Sequence, residues 1–341
     1  MRIVHLLPGL DVGGVERHVV DLASEQARSG HHVTVVSGGG RMTSELHPGV
    51  THIKLPIHVK EPFTGGVCAL RLAIMARSRK WDILHAHSRV PAWVAWWTSV
   101  LSGVPFVVTC HAIYSLNAGL IPYRHADGAI CVSKTVKDHQ IDWLPRRSTV
   151  IRNGIVDPGV RWAPHDDKGP FRFLFIGRLT SVKGIDFLID VLLSMTDRDD
   201  WILDVAGEGP LEVQLKERTT SARSGDRINF LGYRDDVVDL MARCDCCLFP
   251  SRSEGAGLVL LTALTMGVPL IASDLPAFKE NLPPNAMVSL NKERWSEALG
   301  ASLDGKAVFS EIRRNFSLSD MAEEIEGLYL EVRKRKEVES S

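Results

Sequence analysis

Phe249-Pro250-Ser251-Arg252-Ser253-Glu254-Gly255-Ala256-Gly257-Leu258, with the apolar run that continues to Met266, decides how the rest of the chain is read. Cys246–Phe249 is short and apolar, as a buried strand should be, and Leu258 onward has the composition of a buried helix. Between them, a proline and two glycines let backbone come close to a ligand. A helix start also leaves free N–H groups pointing outward, an arrangement that favours an anion and phosphate in particular. Glu254 cannot serve that phosphate, because like charges repel; it is suited to accept hydrogen bonds from hydroxyls, of which sugars carry several. On spacing alone a second reading stands beside this one, in which Glu254 is a helix-start residue interacting with the dipole.

Upstream, Ile176-Gly177-Arg178-Leu179-Thr180-Ser181-Val182-Lys183-Gly184 has the same grammar: a strand end, two cations, then a helix. Arg178 as a fork and Lys183 as a point charge can together neutralise a diphosphate. Apolar runs at Phe171–Ile176, Trp201–Ala206, Ile228–Leu231, Cys246–Phe249 and Pro269–Ala272 alternate with helical patterns. The first half repeats the alternation at Arg2–Leu7, His32–Val36, Asp82–Ala86, Pro105–Thr109, Gly128–Val132 and Thr149–Ile151. Short apolar strands between amphipathic helices imply parallel sheets covered on both faces. The 341 residues exceed one ordinary core. The expected class is α/β, with two doubly wound, Rossmann-like domains facing a cleft, residues 1–160 and 161–317. The join falls in Arg152–Pro170, which holds Asn153-Gly154, three prolines and the charged cluster His165–Lys168. A last helix is expected over 318–336, with Met321, Ile325, Leu328 and Val332 on its apolar face.

Two loops of the first half qualify as functional. Gly9-Leu10-Asp11-Val12-Gly13-Gly14-Val15-Glu16 lacks the Gly-x-Gly-x-x-Gly spacing, and no acid follows the second strand, which disfavours a dinucleotide. Gly13-Gly14 ahead of a helix suits close approach to a ligand instead. His111 stands just past a strand end, where catalytic groups gather in such sheets. The six cysteines, with no export signal recognised, read as buried thiols, Cys244 and Cys247 included. Net charge is −1, but residues 1–150 carry +6 and residues 151–341 carry −7, and twelve of thirteen histidines lie in the first half. A basic half suits an anionic partner such as a phospholipid surface or a phosphorylated acceptor; a scattered solvated face is the other reading. Trp93, Trp96 and Trp97, on a helix expected over 91–101, are candidates for an interfacial patch on an anionic membrane. The uncharged stretch Val90–Cys110 is broken by Gly103 and Pro105, so it reads as helix, turn and strand rather than a membrane span.

Taken in order, these motifs resemble the GT4 family of retaining glycosyltransferases, whose fold is GT-B. The resemblance covers nearly the whole chain: Gly13-Gly14-Val15-Glu16, His85-Ala86-His87, Gly154-Ile155, Gly177-Arg178 with Lys183-Gly184, Gly207-Glu208-Gly209-Pro210, Leu231-Gly232, Pro250 to Gly255, and Gly267-Val268-Pro269. It implies a metal-independent enzyme, without cofactor, moving a sugar from a nucleotide-diphosphate sugar, UDP- or GDP-linked, to a saccharide or lipid-linked acceptor in cell-surface polysaccharide, lipopolysaccharide or glycolipid synthesis. The enzyme is expected in the cytoplasm, with peripheral contact to the inner face of the membrane and no nucleic-acid partner. By the same resemblance Arg178, Lys183, Gly14 and the backbone of Gly257, Leu258 and Val259 bind the diphosphate. Gly13, Gly255, Ala256, Thr262, Gly232 and Tyr233 line the sugar and nucleotide, and His111 and Glu254 serve catalysis. The family places a second glutamate eight positions after the first; here that position is Thr262, with one hydroxyl where a carboxylate accepts from two. An epimerase or hydrolase of the same fold, and a non-catalytic nucleotide-sugar-binding subunit, are the alternatives. Asp197-Arg198-Asp199, in a loop before a strand, is not expected to bind metal.

Overall fold

The computed structural model describes residues 1–164, 169–305 and 316–339. It divides into two compact units, Met1–Val156 together with Ser317–Ser341, and Asp157–Phe316. The charged cluster 165–168 of the expected linker lies outside the described residues.

The first unit is a seven-stranded parallel sheet in the order β3-β2-β1-β4-β5-β6-β7. Its strands are β1 (Arg2–Leu6), β2 (His32–Ser37), β3 (Val50–Lys54), β4 (Ile83–His87), β5 (Phe106–Cys110), β6 (Gly128–Cys131) and β7 (Ser148–Val150). The chain order reverses between β1 and β4, the place where open α/β sheets hold their ligands beyond the strand C-termini. The final helix, Leu318–Glu339, packs Met321, Ile325, Leu328, Tyr329 and Val332 onto Ile3, Ile83, Val107 and Ile130. Side chains alternate faces along a strand, so His5, His85 and Thr109 share the face of Ile3, Ile83 and Val107. One face of the sheet is thus apolar at its N-terminal end and polar at its C-terminal end.

The second unit has six parallel strands in the order β10-β9-β8-β11-β12-β13. These are β8 (Phe171–Ile176), β9 (Trp201–Ala206), β10 (Ile228–Gly232), β11 (Cys246–Phe249), β12 (Leu270–Ser273) and β13 (Met287–Val288). Its core centres on Phe173, Leu188, Leu192, Trp201, Leu203 and Trp295, all fully buried. Each such side chain contributes roughly 1.5–3 kcal/mol by leaving water. The switch point lies between β8 and β11, which carry the two cation- and glycine-bearing loops at their C-terminal ends.

Of the elements that escaped the sequence reading, three show why. The edge strand β3 carries exposed Thr51 and Lys54 beside half-buried His52 and has no apolar run. β13 is only two residues long. The helix Pro62–Arg79 buries Gly65, Cys68, Ala69, Leu72, Ala73 and Ala76, a face of mostly small residues against its neighbour. That neighbour, Arg89–Ser102, holds Trp93, Trp96 and Trp97 half-buried. Trp93 packs at a tilt against Trp96 and Trp97, Trp96 lies flat on His125 at 4.4 Å, and Trp97 covers Gly65. No helix among the described residues is long and apolar enough to cross a membrane. All six cysteines are buried and unpaired by disulfides, with the Cys244 and Cys247 sulfurs 3.6 Å apart.

Candidate active site

In the second unit, the loop after β8 and the loop after β11 are joined backbone to backbone. Arg252 N–H donates to the Val182 carbonyl at 2.8 Å. Gly184 sits at φ +71°, and a Cβ there would stand 1.9 Å from the Pro250 carbonyl oxygen, so only glycine permits the approach. The loop after β9 joins the same assembly: Leu179 N–H donates to Glu208 C=O and Leu211 N–H to Leu179 C=O. Arg252 also forks onto Asp186 at 2.7 and 3.1 Å. Three strand ends are thereby fixed in one surface.

On that surface Lys183 Nζ donates to Glu254 Oε1 at 2.6 Å, and Ser251 Oγ donates to the same oxygen at 2.8 Å. Glu254 is largely buried and Lys183 about a third exposed, so the pair is partly screened but geometrically fixed. Arg178, on the same loop as Lys183, is exposed and forms no ion pair or side-chain hydrogen bond among the described residues. Gly257 caps the helix Leu258–Met266 at φ +74°, a left-handed conformation. Gly255 and Ala256 are buried beneath this turn, and Leu258 and Val259 lie half-exposed in the first turn. Thr262, one turn further, donates its hydroxyl to the Leu258 carbonyl at 3.1 Å. Gly232, at φ +65°, accepts from Gly207 N–H at 2.7 Å, and Tyr233 follows it half-buried. Sequence reasoning brought Lys183 and Glu254 to one site but not into one ion pair, and it missed Ser251 as their third partner and the Arg252–Asp186 clasp. The pairs are 71 and 66 residues apart, which no local pattern reveals.

In the first unit Gly13 caps the helix Gly14–Arg28, and Gly14 is exposed in its first turn. One turn on, the same helix carries buried His18, whose ring meets the half-buried His111 edge-on with centroids 4.7 Å apart. His111 belongs to an array with His5, His18, His85 and His87. His5 Nε2 bonds Gln26 Oε1 at 2.8 Å, His5 Nδ1 bonds His87 Nε2 at 3.0 Å, and His87 Nδ1 bonds His111 Nε2 at 3.0 Å. His85 is held between the Tyr329 hydroxyl at 2.5 Å and Thr109 Oγ1 at 2.6 Å. Burial lowers every one of these histidines. His5 falls to about 4, with Gln26 opposing, and His18 falls to about 4, with His5 adding and Asn153 opposing. His85, His87 and His111 fall well below their ordinary value for the same reason, each also repelled by neighbouring imidazoles. These rings are therefore uncharged at neutral pH, so this part of the first half's histidine excess adds no positive charge for an anionic partner. Ligand nitrogens of His5, His85 and His87, and of His18, His87 and His111, gather within 4.8 Å in each group. In the first group the nitrogens of His5 and His85 are all spent on hydrogen bonds. His111 alone of the array was foreseen. The surplus of histidines and the His85-Ala86-His87 pattern were visible, but His5, His18 and Gln26 join it only through the fold.

Two family models match, "Glycosyltransferase Family 4" over residues 12–157 and "Glycosyl transferases group 1" over residues 160–302. A phosphatidyl-myo-inositol mannosyltransferase of Mycobacterium leprae is 30% identical over 337 residues, spanning 89% of this chain and 86% of its own. A glycogen synthase of Mycobacterium tuberculosis is 28% identical over 323 residues, spanning 80% and 77%. The crystal structure of Anabaena HepE in complex with UDP-glucose superposes with a TM-score of 0.82 at 18% identity, covering 95% of this chain and 98% of that one. With its two Rossmann-like units and these matches, the chain belongs to the GT4 glycosyltransferases of GT-B fold.

Proposed function

We propose that the enzyme is a retaining, metal-independent transferase that takes a sugar from a UDP- or GDP-linked donor and delivers it to a lipid-linked acceptor at an anionic membrane surface. The observation that carries the donor half is the surface where the loops after β8, β9 and β11 meet. It presents Lys183, Arg178 and the N–H groups of Gly257 to Val259 beside the carboxylate of Glu254. A diphosphate neutralised there is stabilised most as it departs with its extra charge, which is electrostatic catalysis by groups already in place. Glu254 then holds hydroxyls of the sugar. In the retaining step the bond from C1 to the phosphate oxygen breaks and the bond from C1 to the acceptor oxygen forms on the same face. The acceptor's proton passes to the departing phosphate.

The lipid half rests on the helix Pro62–Arg79. Phe63, Val67, Leu70 and Ile74, one stripe at spacings of four, three and four, are 77%, 53%, 55% and 64% exposed. Lys60, Arg71, Arg77, Arg79 and Lys80 are exposed around it. An apolar stripe rimmed by cations suits a shallow seat in an anionic headgroup layer. One relative is named for a phospholipid acceptor and another for glycogen, so the choice of a lipid acceptor rests on this stripe.

Lys183→Ala tests the donor half: UDP and GDP affinity by calorimetry should fall roughly tenfold to a hundredfold, the value of a charge-assisted contact. Unchanged affinity removes the phosphate role. Product configuration read by NMR, with and without chelator, tests retention and metal independence. For the lipid half, the protein should sediment with anionic but not zwitterionic vesicles at low salt. A folded Phe63→Asp, Ile74→Asp double variant that still binds as the parent does would refute that seat.

A further inference from the structure

The line from Gln26 to His111 has a direction. A neutral imidazole carries one N–H and one bare nitrogen, and burial keeps each ring of the line neutral. The Gln26 Oε1 at its inner end can only accept, so His5 Nε2 carries the proton of that bond and His5 Nδ1 is bare. His87 Nε2 must then donate to His5 Nδ1, which leaves His87 Nδ1 bare. His111 Nε2 donates to His87 Nδ1 in turn. Among the described residues no further side chain hydrogen-bonds the rings of His5, His87 or His111: His85 is spent on Tyr329 and Thr109, Tyr329 also reaches Gln26, and His18 packs its ring against His87 and His111 beside Asn153.

We propose that Gln26, acting through His5 and His87 as positioning residues, fixes His111 in the form protonated on Nε2, so that His111 presents a bare Nδ1 to hydroxyl-bearing ligands at the C-terminal end of this sheet. His111 then serves as a hydrogen-bond acceptor, not a donor. Nδ1 makes no hydrogen bond among the described residues, and the residue is only half-buried. The remainder of the array holds the charge and the tautomer constant. Reversing the Gln26 amide would reverse every bond in the line, so the outer nitrogen reports what happens three side chains away. The consequence for sugar transfer rests on the function proposed above; the tautomer itself does not.

The test is long-range ¹H–¹⁵N correlation of the histidine rings in the full chain, without substrate, near pH 7.5, with His111 and His87 assigned from His111→Asn and His87→Asn. The expected result is Nε2–H for His5, His87 and His111. An Nδ1–H or averaged His111 overturns the proposal. Gln26→Leu removes the terminal acceptor and should turn His111 into a mixture, lowering kcat roughly tenfold to a hundredfold while the donor KM moves far less. Gln26→Glu keeps an acceptor in place and should restore both the single tautomer and most of kcat; failure to restore either overturns the proposal. Where the leucine variant does not fold, the parent and glutamate spectra decide alone. A chain that transfers no sugar but shows the expected ring spectrum would sink the functional reading and leave this one standing.

Discussion

The two sheets of this enzyme are wound alike yet equip their C-terminal ends in opposite electrostatic styles. In the first unit, four buried imidazoles and the half-buried His111 are desolvated until none is charged, and polarity survives only as the direction of hydrogen bonds. In the second, full charges are kept: Lys183 against Glu254, Arg252 against Asp186, and Arg178 exposed. Desolvation makes the first region rigid and directional but costly to protonate. The second stays near solvent, where a charged pair costs less to hold and can exchange its partner for a ligand's phosphate. The functions proposed above follow this division, with hydroxyls oriented at one mouth and a diphosphate received at the other.

Acid should separate the two regions most sharply. A histidine whose folded pKa lies below its unfolded value binds fewer protons in the native state, so stability is lost as pH falls from about 6.5 toward the folded value. With His5 and His18 at about 4, that window runs from pH 6.5 to 4, and each contributes a loss on the order of 3 kcal/mol across it. Asp21, raised by burial, acts in the opposite sense. The lowered carboxylates of the second unit, Asp157, Asp200 and Asp236, have a different window, since their stabilisation is lost only below the usual carboxylate range. Hydrogen exchange at pH 7.5 and 4.5 should therefore show protection lost across Met1–Val156 and retained across Asp157–Phe316. Equal loss in both would mean the imidazoles accept protons without penalty.

The contrast was only half visible in the sequence. Strands β8, β9 and β11 were legible to the residue, because central parallel strands are short, largely apolar runs bounded by turn signals, broken here only by Arg172 and Asp204. The charged mouth was legible too, since Arg178, Lys183 and Glu254 sit in loops whose glycines and strand-end placement announce them. Edge strand β3, with Thr51, His52 and Lys54, carries no such signal. The histidine array was hidden for another reason. Its members come from two strands, a loop and a helix, and residue counts register them as basic when burial has made them neutral. The tryptophans of Arg89–Ser102 are half-buried; the exposed apolar stripe belongs to Pro62–Arg79, whose buried side is made of small residues with weak periodic contrast.

Within the charged mouth, Glu254→Gln should split two functions by roughly tenfold to a hundredfold, the range of one charge-assisted hydrogen bond. The carboxylate now holds Lys183 at 2.6 Å, so a diphosphate must compete with it for the ammonium. Removing the charge should leave UDP and GDP affinity equal or raised while transfer from the nucleotide-sugar slows. Calorimetry with the bare nucleotides and single-turnover transfer check the two arms. If nucleotide affinity falls instead, Glu254 serves chiefly to aim Lys183, and the sugar contact must be sought elsewhere.

The smallest effect sharpens the comparison most finely. Thr262 faces the first turn of its helix and gives its hydroxyl to the Leu258 carbonyl, a local bond of the kind serine and threonine commonly make. What it can offer a ligand is a single acceptor oxygen. Thr262→Glu supplies a carboxylate able to accept from two ribose hydroxyls, and should raise affinity for UDP and GDP severalfold. The same substitution adds negative charge to the mouth proposed to hold phosphate, so inorganic pyrophosphate, which has no ribose, should bind equally well or more weakly. A gain shared by pyrophosphate would mean the glutamate acts through the loop's structure and not through the ribose. A loss for both would mean that repulsion outweighs the hydroxyl contacts, and that threonine here keeps the second unit's mouth positive enough to hold its donor.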